Sequence, residues 1–393
     1  MQSKTKLTAL VVLTIMTTLE WGIGGEISTR TVRPGIEYRH EQHPGPISLH
    51  IVKMELGRKE LAVVTNLANG TVFGRQTVSG QAKAIDRKLD KPIVAVNGDY
   101  FEMGWSGDPR YRGTLEGIHI QNGELVHGPG HASFWIDGKG RPHLTVGEGS
   151  QFRVTWPDGS EASYRINCST TADKTEVGSS DIVLFTPSFG TSTHTKGGLE
   201  LVLAATPDSE WLPLRANLSY TGSIRSINRK GDTPLSPKTM VLSVVTRVAE
   251  DLPTLRPGDH VTFSTSISPQ FAGVRQAVGG GPPLIQNGKR LVGEGNKKNR
   301  HPRTVIGFNE TELFLVVVDG RQPGLSRGMN YGELADLMDR LGCTNALNMD
   351  GGGSSTMWLD GALVNSPSGR MGQRSVGNAV MILGRLVDRS GAN

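Results

Sequence analysis

Two runs carry the reading of this chain: Leu313-Phe314-Leu315-Val316-Val317-Val318-Asp319-Gly320, and Ala346-Leu347-Asn348-Met349-Asp350-Gly351-Gly352-Gly353-Ser354-Ser355-Thr356. Each is a short apolar stretch that stops at Asp-Gly. The first is unbroken and reads as a solid apolar strand. Between them, Asn330 to Leu341 places Leu334, Leu337, Met338 and Leu341 at helical spacing, with Gly342 as a stop and Asn330 as N-cap. Strand, helix, strand predicts a βαβ unit with parallel strands and a right-handed crossover. Both strands would then end on one edge of the sheet. That brings Asp319 and Asp350 to a common rim, where ligands of open sheets bind.

Working outward, the N-terminal part alternates as strands do from Ile47, and Thr77 to Lys88 carries Val78, Ala82 and Ile85 on one helical face. Ile93 to Val96 is another apolar strand, running straight into Asn97-Gly98-Asp99. Residues 113–270 read as many short strands punctuated by Asn-Gly and Asp-Gly. The expected class is α+β: a mixed β-sheet core, a βαβ unit in the C-terminal third and a strand-rich middle region. The expected layout is a signal peptide over 1–25, a linker or arm over 26–46, one domain over 47–386 and a tail over 387–393.

The N-terminus reads as an export signal. Lys4 and Lys6 precede an apolar stretch, Leu7 to Leu19, that is too short to span a bilayer. No later segment reaches that length, so no stable membrane span is expected once the signal is removed, and the location is secreted or periplasmic. The chain has 393 residues, 51 of them glycine, with no Gly-X-Y period, which excludes collagen. A net charge of +5 is mild and holds no basic run of nucleic-acid type, the densest being Lys297-Lys298-Asn299-Arg300. It suits an anionic substrate. Two lone cysteines, Cys168 and Cys343, could pair in an oxidising compartment, though two so far apart in sequence are more often separate buried thiols.

The chemistry gathers at the glycines. In Asp350-Gly351-Gly352-Gly353-Ser354-Ser355-Thr356, three bare residues let successive N–H groups turn toward one anion, with three hydroxyls beside them. The spacing is neither a Walker A loop nor a dinucleotide fingerprint. Asp350 at the strand end is placed to act as acid, base or nucleophile. The bland alternative is a glycine-rich turn with a satisfied aspartate. A second cluster, Gly279-Gly280-Gly281-Pro282-Pro283, could meet the same ligand. Asn97 could orient a substrate hydroxyl. Arg303 offers a bidentate clamp and His301 a proton carrier, with Arg327 and the Arg374/Asn378 pair as further cation and amide sites. Asp99, Asp319 and Asp350 could hold Ca2+ or Mg2+, though no cofactor is required by the pattern. No HExxH, paired CxxC or Gly-x-Ser-x-Gly motif is present.

Taken in order, Asn97-Gly98-Asp99-Tyr100-Phe101, Gly279 to Pro283, Arg303-Thr304-Val305-Ile306-Gly307, Asp319-Gly320-Arg321, Arg327-Gly328-Met329-Asn330 and Asn345 to Thr356 resemble the phosphodiester glycosidase family, over roughly residues 47–386. The family's first motif is usually Asn-Gly-Gly-Phe-Phe, from which Asp99 and Tyr100 depart. The layout is similar to an exported bacterial member. The resemblance implies a hydrolase that releases a free sugar from a glycosyl-1-phosphodiester or phosphorylated glycan and leaves a phosphomonoester. It implies Asp350 and Asp319 as catalytic carboxylates. The implied substrate-binding set is Asn97, Gly280, Gly281, Arg303, Thr304, Arg327, Gly351, Gly352, Gly353, Ser354, Ser355, Thr356, Arg374 and Asn378. Rival readings are a metal-dependent phosphodiesterase that cuts P–O, and a non-catalytic glycan-phosphate binding module.

Overall fold

The computed structural model describes residues 25–85, 90–103, 111–147, 149–170, 180–207, 211–268, 271, 273–293 and 299–385. The expected signal (1–24 of it), the lysines of the 297–300 loop, residues 86–88 of the expected first helix and the 387–393 tail lie outside the described residues.

Strands dominate, and this corrects the expected α+β class. Among the described residues, the longest helix is Tyr331–Arg340, followed by Val78–Ala84 and the single turn Thr246–Ala249. The main sheet has eight strands in the order Glu26–Arg33, Ile36–His43, Ile47–Glu55, Glu312–Val318, Arg303–Phe308, Asn345–Asn348, Pro283–Gln286 and Lys289–Arg290. Every neighbouring pair in it is antiparallel. The expected arm over 26–46 is therefore two strands of this sheet, with turns at Gly35 and Gly45, both in the left-handed region.

The βαβ expectation is corrected in the same place. Glu312–Val318 and Asn345–Asn348 do run parallel to one another, but Arg303–Phe308 lies between them, antiparallel to both. The reason is local. Arg303–Phe308 and Glu312–Val318 are joined by a tight turn, in which Asn309 Oδ1 accepts from the N–H groups of Thr311 and Glu312. So short a turn pairs the two strands it joins, and Arg303–Phe308 therefore takes the place beside Glu312–Val318. The shared rim survives: Arg303 pairs with Val318, and Val305 with Asn348, so residues 303, 319 and 350 emerge at the same end.

A second sheet faces the first, with strand order Ala362–Leu363, Met357–Leu359, Asp90–Asn97, Asn378–Arg385 and Leu61–Leu67. Period-2 alternation explains the unbroken apolar run at 313–318. Leu313, Leu315 and Val317 pack toward Val94, Val96, Val380 and Ile382 of the second sheet. Phe314, Val316 and Val318 pack on Leu334, Leu337 and Met338 of the long helix. A complete capping box opens that helix, with Asn330 and Glu333 satisfying each other's backbone N–H, worth about 1 kcal/mol.

The middle region forms a separate eight-stranded sheet over a core that includes Phe152, Leu201, Leu203, Tyr220 and Phe263. Its strands are antiparallel apart from the short pair Arg165–Ile166 and Ile182–Phe185. A five-stranded sheet, centred on Gln276–Gly280, links this region to the other two and ends at the second glycine cluster. Cys168 and Cys343 are both buried and free. No helix among the described residues is long and apolar enough to cross a membrane.

Candidate active site

Asp350 leaves the end of Asn345–Asn348 and is pinned from the second sheet. Its N–H donates to Gly98 O at 3.0 Å, and its own carbonyl accepts from Asn97 Nδ2 at 2.7 Å. The other end of the Asn97 amide, Oδ1, accepts from Thr304 Oγ1 at 2.7 Å and Thr356 N at 3.1 Å. Asn97 and Thr304 are both fully buried. They were expected to bind substrate. Instead they form a staple that joins the two sheets and fixes the Asp350 turn.

Asp350 as a residue is half-buried. Its carboxyl Oδ1 accepts from Gly351 N at 2.7 Å. The buried Ser354 hydroxyl bonds to the same carboxyl and accepts from Arg374 Nη1 at 3.2 Å. Desolvation outweighs these contacts and raises the carboxyl to about 6, against the lowering effects of Ser354, Gly351 and Arg374.

The three glycines do not present the expected ring of N–H donors to an anion. Gly351 N is taken by Asp350 and Gly352 N by Pro302 O, while Ser354 N and Ser355 N close back on Gly351 O and Gly352 O. A one-turn 3-10 helix, Gly352–Ser354, accounts for the last two of these bonds. The glycines serve close approach. A Cβ on Gly351 would stand 2.9 Å from Pro302 O, one on Gly352 3.0 Å from the Arg321 guanidinium, and one on Gly353 2.5 Å from that of Arg374. Two guanidinium groups thus lie against the bare backbone beside Asp350. Arg321 also donates to His301 Nδ1 at 3.2–3.3 Å. Since arginine can only donate, a neutral His301 carries its proton on Nε2. Burial, then the charges of Arg321 and Arg303, lower its pKa and favour that neutral form.

Beside Asp350 stands an aromatic wall. The Tyr100 hydroxyl donates to Gly281 O at 2.7 Å, accepts from Asn348 Nδ2 at 3.0 Å and also meets Tyr331. Its pKa is driven up by burial first, then by Tyr331 and Asp350. Arg303 is buried, donates to Met329 O and Asn299 O at 3.1 Å each, and lays its guanidinium 4.1 Å over the Tyr331 ring. It braces the wall, and its two bonded nitrogens are committed to the protein. Asn348 Oδ1 is buried with no hydrogen-bond partner in the protein, as are Ser355 Oγ and Thr356 Oγ1.

Other expected site residues go elsewhere. Asp319 is 2% exposed, and both its oxygens are occupied. Oδ1 accepts from Asn365 Nδ2 and Ser366 N, and Oδ2 meets His50 Nε2 at 3.0 Å and Ser48 Oγ at 3.3 Å. It ties the 365–366 loop to the sheet edge. Asn378 is buried and accepts from Asp99 N, and Gly280 is bare because a Cβ would meet Asn348 O at 2.8 Å. Gly281 contributes the carbonyl that receives Tyr100. Arg327 is exposed and lies over the turn at Gly45. Asp99 is buried, with bonds from Tyr100 N and Gly117 N, and burial raises it to about 8. Asp99, Asp319 and Asp350 form no group able to hold a metal ion, nor do any three His, Cys, Asp or Glu among the described residues.

Arg321, Tyr100, Tyr331 and Asn348 were not singled out as site residues. Arg321 directly follows the Asp319-Gly320 strand end, which was the available signal. Tyr331 follows the N-cap and reads as an ordinary first helical residue.

Against known proteins, residues 216–383 match the family model described as phosphodiester glycosidase, which bears out the resemblance read from the motifs. The mouse N-acetylglucosamine-1-phosphodiester alpha-N-acetylglucosaminidase is 40% identical over 67 residues, which is 17% of this chain and 13% of the mouse protein. The human enzyme of the same name matches to the same extent, 40% over 67 residues. The match thus spans a small part of these relatives. Among solved structures, a hypothetical protein from Synechocystis has a TM-score of 0.70 at 18% identity, covering 92% of this chain and 64% of that one. A protein from Burkholderia pseudomallei has a TM-score of 0.64 at 21% identity, covering 86% of this chain and 74% of that one. Likeness at such identities is one of fold.

Proposed function

We propose, from a chain whose residues 216–383 match the phosphodiester glycosidase family, that the protein hydrolyses the C1–O bond of a glycosyl-1-phosphodiester. Products are the free sugar and a phosphomonoester. The carrying observation is the Asp350 carboxyl, raised to about 6 by burial and tied through Ser354 to Arg374, on a turn that Arg321 also flanks.

Each part has a physical task. The Arg321 and Arg374 guanidinium groups hold the phosphate anion, and their charge stabilises it as it departs. A carboxyl poised near 6 is protonated in a useful fraction of molecules at mildly acid pH. Asp350 can then give that proton to the leaving phosphate oxygen. His301, protonated on Nε2, adds a neutral donor beside Arg321. Tyr100 and Tyr331 offer ring surface for a sugar, and buried Asn348 Oδ1 an acceptor for a hydroxyl.

The test is incubation of the purified protein with UDP-N-acetylglucosamine and simple glycosyl-1-phosphate diesters in 18O water. N-acetylglucosamine is offered first because the curated relatives are named for it. Free sugar carrying the label is the expected result. Label in the phosphate product would mean P–O cleavage and overturn the reading, as would the absence of turnover.

A further inference from the structure

We propose that Glu116 is the second carboxylate of this reaction, the base that takes a proton from the attacking water. The inference rests on the role of Asp350 as the acid of the reaction. Asp319, the other expected carboxylate, is sealed by four partners, so the position has to be filled from another element.

A short antiparallel pairing places Glu116. Phe101 bridges Leu115, Glu116 N donates to Tyr100 O at 3.1 Å, and Glu102 N donates to Thr114 O at 2.8 Å. Residues opposite one another on such a ladder share a face, and successive residues alternate. Phe101 and Leu115 are 5% and 3% exposed and belong to the core. Tyr100 and Glu116 therefore stand together on the other face. Tyr100 sends its hydroxyl to Gly281 O and to Asn348, the last residue of the strand that delivers Asp350. Glu116 rises from the same wall.

Its backbone is held firmly. The next residue, Gly117, donates to buried Asp99 Oδ2 at 2.7 Å, and a Cβ there would stand 2.8 Å from that oxygen. The Glu116 side chain is exposed, so water reaches it. Among the described residues Glu102 acts on Glu116, and Glu116 acts on both Asp99 and Asp350. Partial burial, then Glu102, raises the Glu116 carboxyl. An ionised Glu116 in turn favours the protonated form of Asp350, which is the division of labour an acid and a base require.

In the step itself, a water oxygen bonds to C1 as the C1–O bond to phosphate breaks, its electron pair going to the phosphate oxygen. Glu116 takes one proton of the water. Asp350 gives its proton to the phosphate oxygen. Solvent restores both groups, and the sugar leaves with its anomeric configuration inverted.

The experiment compares wild type, Glu116→Gln and Glu116→Ala on UDP-N-acetylglucosamine, with the anomer of the released sugar followed by NMR. Expected results are an inverted product, a loss of about 10²–10⁴-fold in kcat for both variants, and loss of the acid limb of the pH–rate profile in the Gln variant. Sodium azide should restore turnover of the Ala variant as a glycosyl azide, because azide needs no base. Thermal midpoints should match wild type, since the side chain is exposed. A Gln variant at the wild-type rate, a retained anomer, or an Ala variant that azide does not rescue would each overturn the role of Glu116. Wild type without sugar release would instead sink the reading of the site as a whole.

Discussion

Asp319 and Asp350 end strands of the same sheet, on the same rim, with the same Asp-Gly signature, and the protein treats them in opposite ways. Asp319 is 2% exposed, its oxygens shared among Asn365, Ser366, His50 and Ser48. Asp350 has fewer carboxyl partners, is half-buried as a residue and is raised to about 6 by desolvation. A carboxylate surrounded by donors is a structural tie. One that is desolvated and under-bonded can exchange a proton. Surroundings from other strands decide which is which, and the two-residue motif does not.

The largest expected effect is on turnover. Asp350→Asn should lower kcat by about 10²–10⁴-fold, read as sugar release, while the fold is kept. Linkage sharpens the point. Because the folded pKa lies above the ordinary value of about 3.9, the native state holds the proton more tightly between about pH 4 and about 6. The stabilising contribution of Asp350 is complete below the lower value and is lost as pH rises through the upper one. At pH 7 the Asn variant should therefore be at least as stable as wild type, with a flatter stability profile from pH 4 to 6. Urea midpoints across that range check it, and a variant that unfolds at pH 7 would break the contrast.

Asp319→Asn should do the reverse. Its amide would place N–H groups against donors that now point at carboxylate oxygens, costing about 1–3 kcal/mol for each one left unpaired. A fall in the urea midpoint is expected, with the pH profile of whatever activity remains unchanged. A variant of native stability that lacks all turnover would move Asp319 back among the reacting groups.

How much of this was legible differs between the two rims and the rest. Strand ends at 319 and 350 could be placed together because apolar run, helix and apolar run impose a common direction. Arg303–Phe308 could not be seen between them, since strand insertion depends on a ladder and not on a pattern within the inserted strand. The 26–46 segment misled through its Pro34, Gly35 and Gly45, which mark turns between strands, and through an outer strand exposed along most of its length. Asn97 and Thr304 carry side chains that bind ligands elsewhere. In the fold their polar atoms are spent on one another and on the Asp350 turn, a pairing across two sheets that no local pattern encodes. Glu116 had no sequence signal. It enters through pairing with Tyr100, in a stretch where turns obscure alternation.

Smaller effects come from the phosphate side. Arg374→Ala removes one of two guanidinium groups that flank the turn and a donor to Ser354, so KM should rise by roughly tenfold to a hundredfold, in line with a charged hydrogen bond of about 1.5–3 kcal/mol. Inhibition by the phosphomonoester product should weaken in parallel.

Gly353→Ala tests the same point without touching a charge. Its Cβ would stand 2.5 Å from Arg374 Nη2, and the atom it meets is the mobile end of a long side chain. The guanidinium can swing away at little cost to folding, and Gly353 itself has no left-handed backbone angle to lose. Stability should change little, while KM rises in the same direction as for Arg374→Ala and by less, about severalfold to tenfold. Combining the two substitutions should then add almost nothing to Arg374→Ala alone, since both act through one cation. Full additivity would mean that the glycine turn meets the phosphate directly, and that its bare backbone does more than make room for arginine.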